Sequence, residues 1–309
     1  MFHIIVNPVA GKGRTMLYMP ALMDRFNELE LKCEIHITTK TREAYHMAKE
    51  CCTPECQGII GIGGDGTIQE IVAGMVDAYP HGQRIPVPLG ILPGGSGNDF
   101  IMTLEGSKKA AKRKFGKDRT AIVRDFADKI LTRSLRTIDV ITANGEAYLN
   151  IGNIGIDARI VHSAADLKAK LGGQAYMASV YKNIMKHKNI SLDIAINGKT
   201  FAGDYTLVAV CNGEYYGGGL RIAPPAKIDD GKITLCTVDG LKRAKLGVLF
   251  PSLIIEQHVK LKEINFTECE ELTISPYSNE EILCLDGNLY PMTGDITFKT
   301  LPKVLDVFV

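Results

Sequence analysis

The sequence predicts a doubly wound α/β domain followed by a β-rich second domain. Three observations support this prediction. Strand-like and helix-like segments alternate over the first third of the chain. Three glycine-rich loops directly follow three of the predicted strands. From about Asp139 onward, strand-like runs come close together. The 309 residues suffice for two domains. We predict the first over 1–138, with 293–309 returning to it, and the second over 139–292.

Strands and helices of the first domain follow a regular order. Residues 2–6, 33–37, 58–62 and 87–92 read as strands, whereas 16–29, 42–52 and 68–76 have the spacing of helices. This βαβα order implies a mostly parallel sheet with helices on both faces. In such sheets ligands bind beyond the carboxyl ends of the strands, which is where the glycine-rich loops fall.

The second domain contains many short strand-like runs. Turn-forming pairs such as Asn144-Gly145, Asn197-Gly198 and Asp230-Gly231 separate several of them, and a helical segment over 158–186 interrupts the series. The predicted strands cover 138–142, 147–151, 191–196, 205–211, 232–238, 262–266, 271–274, 281–285 and 296–309.

Composition indicates an ordinary soluble globular protein, with 45% hydrophobic and 23% charged residues. The net charge of +1 creates no field that favours a nucleic-acid partner. The apolar start ends at Asn7-Pro8, which is too short for a signal-peptide core, and no apolar run approaches the length of a spanning helix. We therefore expect a cytoplasmic protein.

Cysteines and histidines lack the spacing of a metal site. Cys51, Cys52 and Cys56 are close in sequence, but no second ligand pair follows them. We expect free thiols in a reducing compartment. The histidines are scattered, so we expect satisfied or surface side chains at His3, His36, His46, His81, His162, His187 and His258.

A basic stretch covers residues 108–119. It is either a solvated face or mobile insertion, or a patch that meets anionic lipid headgroups at roughly 1 kcal/mol per basic residue. Nucleic-acid binding is less favoured because Phe115 is its only aromatic residue. Its basic residues are Lys108, Lys109, Lys112, Arg113, Lys114, Lys117 and Arg119.

The first loop to carry chemistry is Gly63-Gly64-Asp65-Gly66-Thr67. Its glycines let the backbone approach a phosphate, and free N–H groups at a helix start favour an anion. The carboxylate of Asp65 would repel phosphates unless a cation lay between them, which suggests Mg²⁺. Thr67 and Glu70 have the spacing of a capping box.

Two companion loops add further polar groups. In the loop 93–99, Ser96 offers a hydroxyl, Asn98 is a candidate helix cap and Asp99 adds a carboxylate. The loop 7–14 adds two basic residues but matches neither the P-loop nor the G-x-G-x-x-G pattern. The latter mismatch lowers the expectation of a dinucleotide oxidoreductase.

Together these loops resemble the diacylglycerol kinase catalytic-domain family, which includes bacterial lipid kinases and sphingosine kinases. The match covers nearly the whole chain. It rests on Asn7-Pro8 with Gly11, on Gly-Gly-Asp-Gly-Thr at 63–67 and on Gly-Ser-Gly-Asn-Asp-Phe at 95–100. The resemblance implies an NAD-kinase-like α/β nucleotide-binding domain followed by a β-sandwich, and ATP and Mg²⁺ as cofactors.

The resemblance also implies roles for individual residues. Asp65, Asp99 and Asp139 would form the acidic network around the catalytic Mg²⁺. Thr38 matches a nucleotide-contacting threonine, with Thr39 as the alternative. The implied nucleotide-binding residues are Asn7, Pro8, Ala10, Gly11, Lys12, Gly13, Arg14, Thr38, Gly63, Gly64, Asp65, Gly66, Thr67, Ile68, Gln69, Glu70, Gly95, Ser96, Asn98, Asp99 and Asp139. Ser96 replaces the family's usual threonine.

A second metal site is implied further along the chain. The segments 217–219, 223–226 and 229–231 resemble the part of the family that holds a structural Mg²⁺. Asp230 would supply the side-chain ligand, with the carbonyl groups of Lys227 and Lys232. Taken alone, Asp230-Gly231 is equally consistent with a hairpin turn.

Leu285-Asp286-Gly287-Asn288 resembles the family's Asp-Gly-Glu motif. Asp286 is then the candidate general base, which accepts the proton of the lipid hydroxyl. The alternative is that Asp286 only forms a turn. Asn288 departs from the family pattern because asparagine neither takes up a proton nor carries negative charge.

The expected activity is phosphoryl transfer from MgATP to a lipid hydroxyl at the inner face of the membrane. Diacylglycerol or a similar lipid alcohol is the leading acceptor, while a sphingoid base or phosphatidylglycerol stays open. The resemblance also suggests a homodimer, and the charge and composition favour no nucleic-acid partner. The alternatives are an NAD kinase, which would share the 63–67 loop, and a catalytically weak nucleotide-binding regulatory protein.

Overall fold

Four short strands of the N-terminal half form the predicted parallel sheet. β1 (Phe2–Val6) lies between β2 (Cys33–Ile37) and β3 (Gly58–Gly63), and β4 (Leu89–Pro93) pairs with the far side of β3. The computed structural model describes residues 1–80, 82–116, 118–156, 158–159, 188–278 and 281–309. Apart from 158–159, the predicted helical segment 158–186 lies outside these residues.

Helices cover both faces of this sheet. Ile5 and Ile59 pack on one face with apolar residues of α2 and α3, whereas Ile4 and Ile60 pack on the other with residues of α1 and α6. The helices are α1 (Met19–Glu28), α2 (Glu43–Cys51), α3 (Asp65–Ala78), α4 (Asp99–Leu104), α5 (Lys108–Phe115) and α6 (Arg119–Thr132).

Two differences from the predicted helices affect the site. The predicted helix 16–29 begins only at Met19, because tight 3-10 turns occupy Ala10–Tyr18 and positive φ angles at Gly11, Lys12 and Gly13 interrupt them. The basic stretch, in its described part, is not an irregular insertion, since it forms α5 and the start of α6.

The C-terminal half consists mainly of antiparallel strands. Asn144-Gly145 and Asn197-Gly198 form the predicted hairpin turns, and α7 (Arg243–Ile254) is a helix that the sequence pattern did not indicate. The strands are β5 (Leu135–Ala143), β6 (Glu146–Tyr148), β7 (Ile151–Gly155), β8 (Ile190–Ile196), β9 (Lys199–Cys211), β10 (Tyr215–Tyr216), β11 (Leu220–Arg221), β12 (Ile233–Asp239), β13 (Ile264–Cys269), β14 (Glu271–Pro276), β15 (Ile282–Leu285), β16 (Asn288–Pro291) and β17 (Ile296–Phe308).

The last strand links the two halves of the chain. β17 pairs antiparallel with β5 and β14, and near its end Val307 pairs in parallel with Leu89 of β4. The fold class predicted from the sequence, an α/β domain followed by a β-sandwich, is confirmed. None of the helices in the described part of the chain is long and apolar enough to cross a membrane.

Candidate active site

The three glycine-rich loops meet beyond the carboxyl ends of β1, β3 and β4. The Gly94 N–H donates to the carbonyl of Gly63 at 2.7 Å. A Cβ atom on Gly95 would lie 2.6 Å from the Cα of Gly64, and one on Gly11 would overlap the carbonyl oxygen of Gly94. These positions therefore need glycine, because the loops touch through their backbones.

Hydrogen bonds in and near the first loop stabilise this junction. The amide of Asn7 donates to the hydroxyl of Thr67 at 3.0 Å, and the hydroxyl of Thr15 donates to the Asn7 carbonyl at 2.7 Å. Thr38 lies beside the end of β1, where its N–H donates to the carbonyl of Val6 at 2.9 Å. Asn7, Thr38 and Thr67 are among the predicted nucleotide-binding residues, whereas Thr15 is not.

Exposed groups occupy the outer rim of the same loops. Lys12 and Arg14 are exposed, and the Arg14 Nε donates to the carbonyl of Gly11 at 2.9 Å. Ser96 is exposed within the 93–99 loop, whereas Pro8, Ala10 and Gly13 of the first loop are only partly exposed. The rim therefore carries positive charge and a hydroxyl, which suit the phosphates of a nucleotide.

Helix α3 starts earlier than the capping-box pattern predicts. Its first residue is Asp65 and the capping position is Gly64, so Thr67 lies inside the first turn. The Thr67 hydroxyl accepts the bond from Asn7 instead of capping the helix. The predicted capping box of Thr67 and Glu70 is therefore wrong.

The side chains after Thr67 turn away from the loops. Ile68 packs in the core, the Gln69 amide donates to the carbonyl of Ala147 at 2.8 Å, and the Glu70 carboxylate accepts the N–H of Arg42 at 3.0 Å. The helical rotation of about 100° per residue directs them to the core and to neighbouring elements. These side chains are therefore engaged elsewhere in the fold, and the prediction that the segment 64–70 binds ATP phosphates stays a prediction.

Two carboxylates converge at the loop junction. Asp65 accepts the N–H groups of Asn98 at 2.8 Å and of Phe100 at 3.3 Å, and thereby ties α3 to the 93–99 loop. A Cβ atom on Gly97 would lie 3.0 Å from Oδ2 of Asp65 and 2.9 Å from Oδ2 of Asp99. Gly97 therefore keeps open the space between the two acids.

A triple-glycine segment closes the other side of Asp99. The N–H groups of Gly218 and Gly219 donate to the Asp99 carboxylate at 3.0 and 2.7 Å. Gly217, Gly218 and Gly219 all have positive φ, which glycine adopts without strain. The resemblance grouped 217–219 with the structural Mg²⁺ segment, whereas the structure places these glycines against Asp99.

The electrostatics of the acid pair favour a bound cation. Desolvation raises the pKa of Asp65, although backbone N–H groups oppose the shift. Desolvation and the charge of Asp65 raise the pKa of Asp99 to about 7. Two carboxylates that share a gap kept free by Gly97 form an oxygen donor set of the kind that Mg²⁺ prefers. The residues present therefore fit the implied cation.

Asp286 lies at the same site, at a two-residue turn between β15 and β16. Asp286 and Gly287 both have positive φ, as a type I′ hairpin requires. The Asp286 carboxylate accepts the N–H groups of Leu149 and Ile151, each at 2.8 Å, and that of Asn150 at 3.1 Å. It therefore forms the turn and also holds a fixed carboxylate.

Charges couple Asp286 to the acid pair. Desolvation raises its pKa to about 7, backbone N–H groups oppose this shift, and the charge of Asp65 adds to it. The charge of Asp286 in turn contributes to the raised pKa of Asp99. A carboxylate with a pKa near 7 suits a general base at neutral pH.

Asn288 replaces the family's glutamate and has a defined position. Its amide donates to the carbonyl of Gly66 at 2.9 Å and to Oε1 of Gln69 at 2.6 Å. The Gln69 amide nitrogen already donates to the carbonyl of Ala147. Gln69 must therefore present its oxygen to Asn288, so position 288 requires a hydrogen-bond donor.

Asp139 does not join the pair of Asp65 and Asp99. It is fully buried, and its carboxylate accepts the N–H groups of Gly231 at 2.6 Å and of Lys303 at 2.7 Å. Desolvation raises its pKa, and the acids that add to the shift are Asp230 and Asp229. The predicted three-acid network is corrected, because β5 directs Asp139 to the segment 229–231.

Asp230 occupies an exposed bend before β12. Its carboxylate accepts the N–H of Lys232 at 3.1 Å, and the Lys232 ammonium pairs with Glu268 at 2.6 Å. Lys227 is exposed near the same bend. β12 pairs with β9 and β13, so the alternative of a hairpin turn at Asp230-Gly231 is wrong.

The backbone donors of the site were invisible in the sequence. Leu149, Asn150 and Ile151 hold Asp286 through N–H groups alone, so their side chains give no signal. Gly97 was visible as part of a glycine-rich loop, but its place between Asp65 and Asp99 depends on the fold. Strand pairing, and not motif spacing, assembles this part of the site.

Similarity to known proteins agrees with this geometry. Residues 1–143 match the family model described as diacylglycerol kinase catalytic domain, and residues 151–309 match the one described as YegS C-terminal NAD kinase beta sandwich-like domain. A Bacillus subtilis protein named diacylglycerol kinase is 27% identical over 92% of this chain and 88% of its own length. A Staphylococcus aureus protein of the same name is 24% identical over 99% of this chain and 91% of its own length.

Solved structures with a similar fold include two kinases. The crystal structure of a Bacillus anthracis diacylglycerol kinase aligns with a TM-score of 0.73 at 25% identity, covering 99% of this chain and 96% of the other. Yeast NADH kinase complexed with NADH aligns with a TM-score of 0.53 at 13% identity, covering 99% and 81%. The second likeness concerns the fold alone. From its two family matches and its relatives, the chain belongs to the diacylglycerol kinase catalytic-domain family of lipid kinases.

Proposed function

We propose that this protein transfers the γ-phosphate of ATP to the hydroxyl group of a lipid, with diacylglycerol or a similar lipid alcohol as the acceptor. The observation that carries the proposal is the convergence of Asp65, Asp99 and Asp286 at the junction of three glycine-rich loops. Phosphoryl transfer needs positioning, charge neutralisation and a group that accepts a proton, and this site offers residues for each task.

The loops would hold the nucleotide through their backbones and their basic rim. Lys12 and Arg14 are exposed at the edge of the 7–14 loop, and the start of α3 presents its N-terminal dipole to the same junction. Asp65 and Asp99 would hold Mg²⁺, which neutralises phosphate charge when it is bound. Negative charge on these acids would otherwise repel ATP.

Asp286 would act as the general base. Its carboxylate takes the proton of the lipid hydroxyl while the hydroxyl oxygen forms a bond to the γ-phosphorus. The bond between that phosphorus and the oxygen bridging to the β-phosphate breaks, and ADP leaves with the electron pair. The three N–H groups from residues 149–151 orient the carboxylate for this role.

The acceptor would reach the site from a membrane surface. Helix α5 carries most of the basic stretch, and the Lys108 ammonium donates to the carbonyl of Gly218 at 3.1 Å, next to the residues that hold Asp99. Lys114 pairs with Glu105, so it is less available for anionic headgroups. We propose a peripheral contact through the remaining exposed basic residues, in a protein that works in the cytoplasm as a homodimer.

A panel of acceptors with labelled ATP tests the proposal. Mixed micelles containing diacylglycerol, a sphingoid base or phosphatidylglycerol are compared with NAD in solution, with and without Mg²⁺. We expect Mg²⁺-dependent labelling of one lipid, with diacylglycerol the strongest acceptor. Labelling of NAD alone would support an NAD kinase instead. Tight binding of MgATP without labelling of any acceptor would support a regulatory protein.

The variant Gly97→Ala adds a structural test of the cation. Gly97 does not have positive φ, so alanine is compatible with its backbone, and the new methyl group would lie between Asp65 and Asp99. We expect the Mg²⁺ concentration for half-maximal activity to rise at least about tenfold, since a methyl group blocks the donor set. An unchanged Mg²⁺ dependence would argue against this location for the cation.

A further inference from the structure

Two histidines and a cysteine come together on the far edge of the parallel sheet. His3 lies on β1, His36 on the neighbouring edge strand β2, and Cys51 at the last position of α2. His3 Nδ1 is 3.0 Å from His36 Nε2, and the Cys51 sulfur is 3.5 Å from the same nitrogen. The three ligand atoms all lie within 4.8 Å of one another.

We propose that His3, His36 and Cys51 form a zinc site that ties β1, β2 and α2 together. The inference does not depend on the proposed kinase activity. Imidazole nitrogen and thiolate sulfur are the ligands that Zn²⁺ prefers in proteins, and Zn²⁺ is borderline-soft enough to bind both.

The spacing of the ligand atoms fits tetrahedral zinc. With Zn–N of about 2.0–2.1 Å and Zn–S of about 2.3 Å, tetrahedral ligand atoms lie roughly 3.3–3.6 Å apart. The separations of 3.0 Å between the two nitrogens and 3.5 Å between nitrogen and sulfur are within a few tenths of an ångström of these values. The remaining pair, a His3 nitrogen and the Cys51 sulfur, lies within 4.8 Å, so side-chain rotations that bring His3 and Cys51 closer would complete the coordination geometry.

Hydrogen bonding alone serves this cluster poorly. In the neutral imidazoles, one of the two facing nitrogens must donate and the other accept. If His36 Nε2 accepts from His3, the Cys51 thiol competes for the same lone pair. A cation at the centre would engage the lone pairs of both imidazoles and of the sulfur together.

Zinc ligation at this cluster requires neutral imidazoles and a deprotonated thiol. Desolvation and the neighbouring His36 lower the pKa of His3, which favours the neutral imidazole that a metal requires. Desolvation, with charges at Cys56 and Glu34, raises the pKa of Cys51 to about 11. Zinc binding would therefore release one proton from Cys51 at neutral pH.

Glu34 is placed to supply the fourth ligand. It pairs in register with His3 across β1 and β2, and its carboxylate oxygen is 3.7 Å from His3 Nδ1. The side chain is more than half exposed, so it is free to move toward the ion. Two neutral imidazoles, a thiolate and a carboxylate together balance the double positive charge of zinc.

The 309-residue chain, reduced and stripped of metal with a chelator, is titrated with Zn²⁺ alone and with Co²⁺ alone to test the site. Competition against a chromophoric chelator should reveal one equivalent of tightly bound Zn²⁺. Co²⁺ in the unaltered chain should show a thiolate charge-transfer band and the intense visible bands of tetrahedral coordination. The absence of stoichiometric Zn²⁺ binding or of the thiolate band would overturn the proposal.

Paired variants locate the ligands. We expect Cys51→Ser and His36→Asn each to weaken Zn²⁺ binding at least about tenfold. Cys33→Ser and His46→Asn are the matched controls, because Cys33 lies on β2 but packs with the core of the opposite face, and His46 is an exposed residue of α2. Controls that lose zinc as strongly as the ligand variants would count against the assignment.

A stability measurement separates lost ligands from lost folding. Zn²⁺ should raise the melting temperature of the parent chain and of both controls, because it binds the folded state. It should raise that of Cys51→Ser less than that of the parent, while circular dichroism before metal addition checks that the variant is folded. A zinc-dependent rise in the melting temperature of Cys51→Ser equal to that of the parent would contradict the proposal. If this variant does not fold, the Co²⁺ spectrum of the unaltered chain decides the question.

Discussion

Two Asp-Gly pairs in this chain have the same local sequence signal and opposite surroundings. Asp286-Gly287 forms the turn between β15 and β16, and its carboxylate accepts three backbone N–H groups beside Asp65. Asp230-Gly231 precedes β12, and the Asp230 carboxylate accepts the N–H of Lys232 at an exposed bend. The dipeptide favours a change of chain direction in both cases.

The difference shows that tertiary contacts, not the dipeptide, give the carboxylate its chemistry. At Asp286, desolvation and the charge of Asp65 raise the pKa to about 7. Asp230 contributes its charge to Asp139, which holds the bend through the Gly231 N–H. The first setting suits proton transfer, and the second suits the anchoring of a surface segment.

The largest expected effect comes from removing the carboxylate charge of Asp286, and the same change at Asp230 serves as its control. Asp286→Asn keeps a residue that tolerates positive φ but cannot accept a proton, so we expect lipid phosphorylation to fall at least about 100-fold. The matched change Asp230→Asn should reduce it far less. Initial rates with labelled ATP measure both, and calorimetry should show that Asp286→Asn still binds MgATP. Unchanged activity in Asp286→Asn would refute the general-base assignment.

Asp65→Asn sharpens the comparison by altering the neighbour that distinguishes Asp286 from Asp230. Asn cannot hold Mg²⁺ as a carboxylate does, and it also changes the bond to the Asn98 N–H. We expect MgATP to bind about 10–100-fold more weakly, as measured by titration calorimetry. Binding of ATP without Mg²⁺ should change less, because the repulsion of a negative charge is lost. Equal losses with and without Mg²⁺ would point to a folding defect.

Much of the fold and part of the site follow from the sequence. The alternation of strands and helices predicts the parallel sheet because local periodicity reports which face is buried. The loops 7–14, 63–67 and 93–99 are placed correctly because the carboxyl ends of parallel strands share one edge. Asp65 and Asp99 meet there for the same reason.

The remaining features depend on contacts that no local pattern encodes. Asp139 follows the register of β5 to the segment 229–231, although its sequence context gives no sign of that partner. Gln69 and Glu70 turn away from the loops because α3 begins at Asp65. Spacing rules also miss His3, His36 and Cys51, because each comes from a different element.

A smaller effect is expected at Asn288 and Lys232, the residues two positions after Asp286 and Asp230. Asn288 donates to the carbonyl of Gly66 and to Gln69, so Asn288→Glu would set a carboxylate against two acceptors. We expect a loss of about 1–3 kcal/mol in the free energy of unfolding, measured by denaturant titration. Lys232→Glu, at the matching exposed position, should cost no more than about 1 kcal/mol through its lost pair with Glu268. A stabilised Asn288→Glu variant would show that the site accepts the family's usual residue.

The smallest expected effect is a change with pH in the free energy of unfolding, which depends on the raised pKa of Asp99. The pKa of Asp99 rises from its ordinary 3.8 to about 7 on folding, through desolvation and the charge of Asp65. Between pH 3.8 and 7 the folded state keeps the Asp99 proton, whereas the unfolded state releases it. The contribution of the protonated Asp99 to the free energy of unfolding is therefore complete below pH 3.8 and is lost as the pH rises through 7. In buffer without Mg²⁺, Asp99→Asn should therefore gain stability relative to the parent chain on going from pH 5 to pH 8, by on the order of 1–2 kcal/mol. Mg²⁺ should stabilise the parent more at pH 8 than at pH 5, since it binds the carboxylate form, and should have little effect on the variant. Denaturant titrations at pH 5 and pH 8, with and without Mg²⁺, measure both differences. If the stability of the parent relative to Asp99→Asn did not change with pH, the raised pKa of Asp99 would be contradicted.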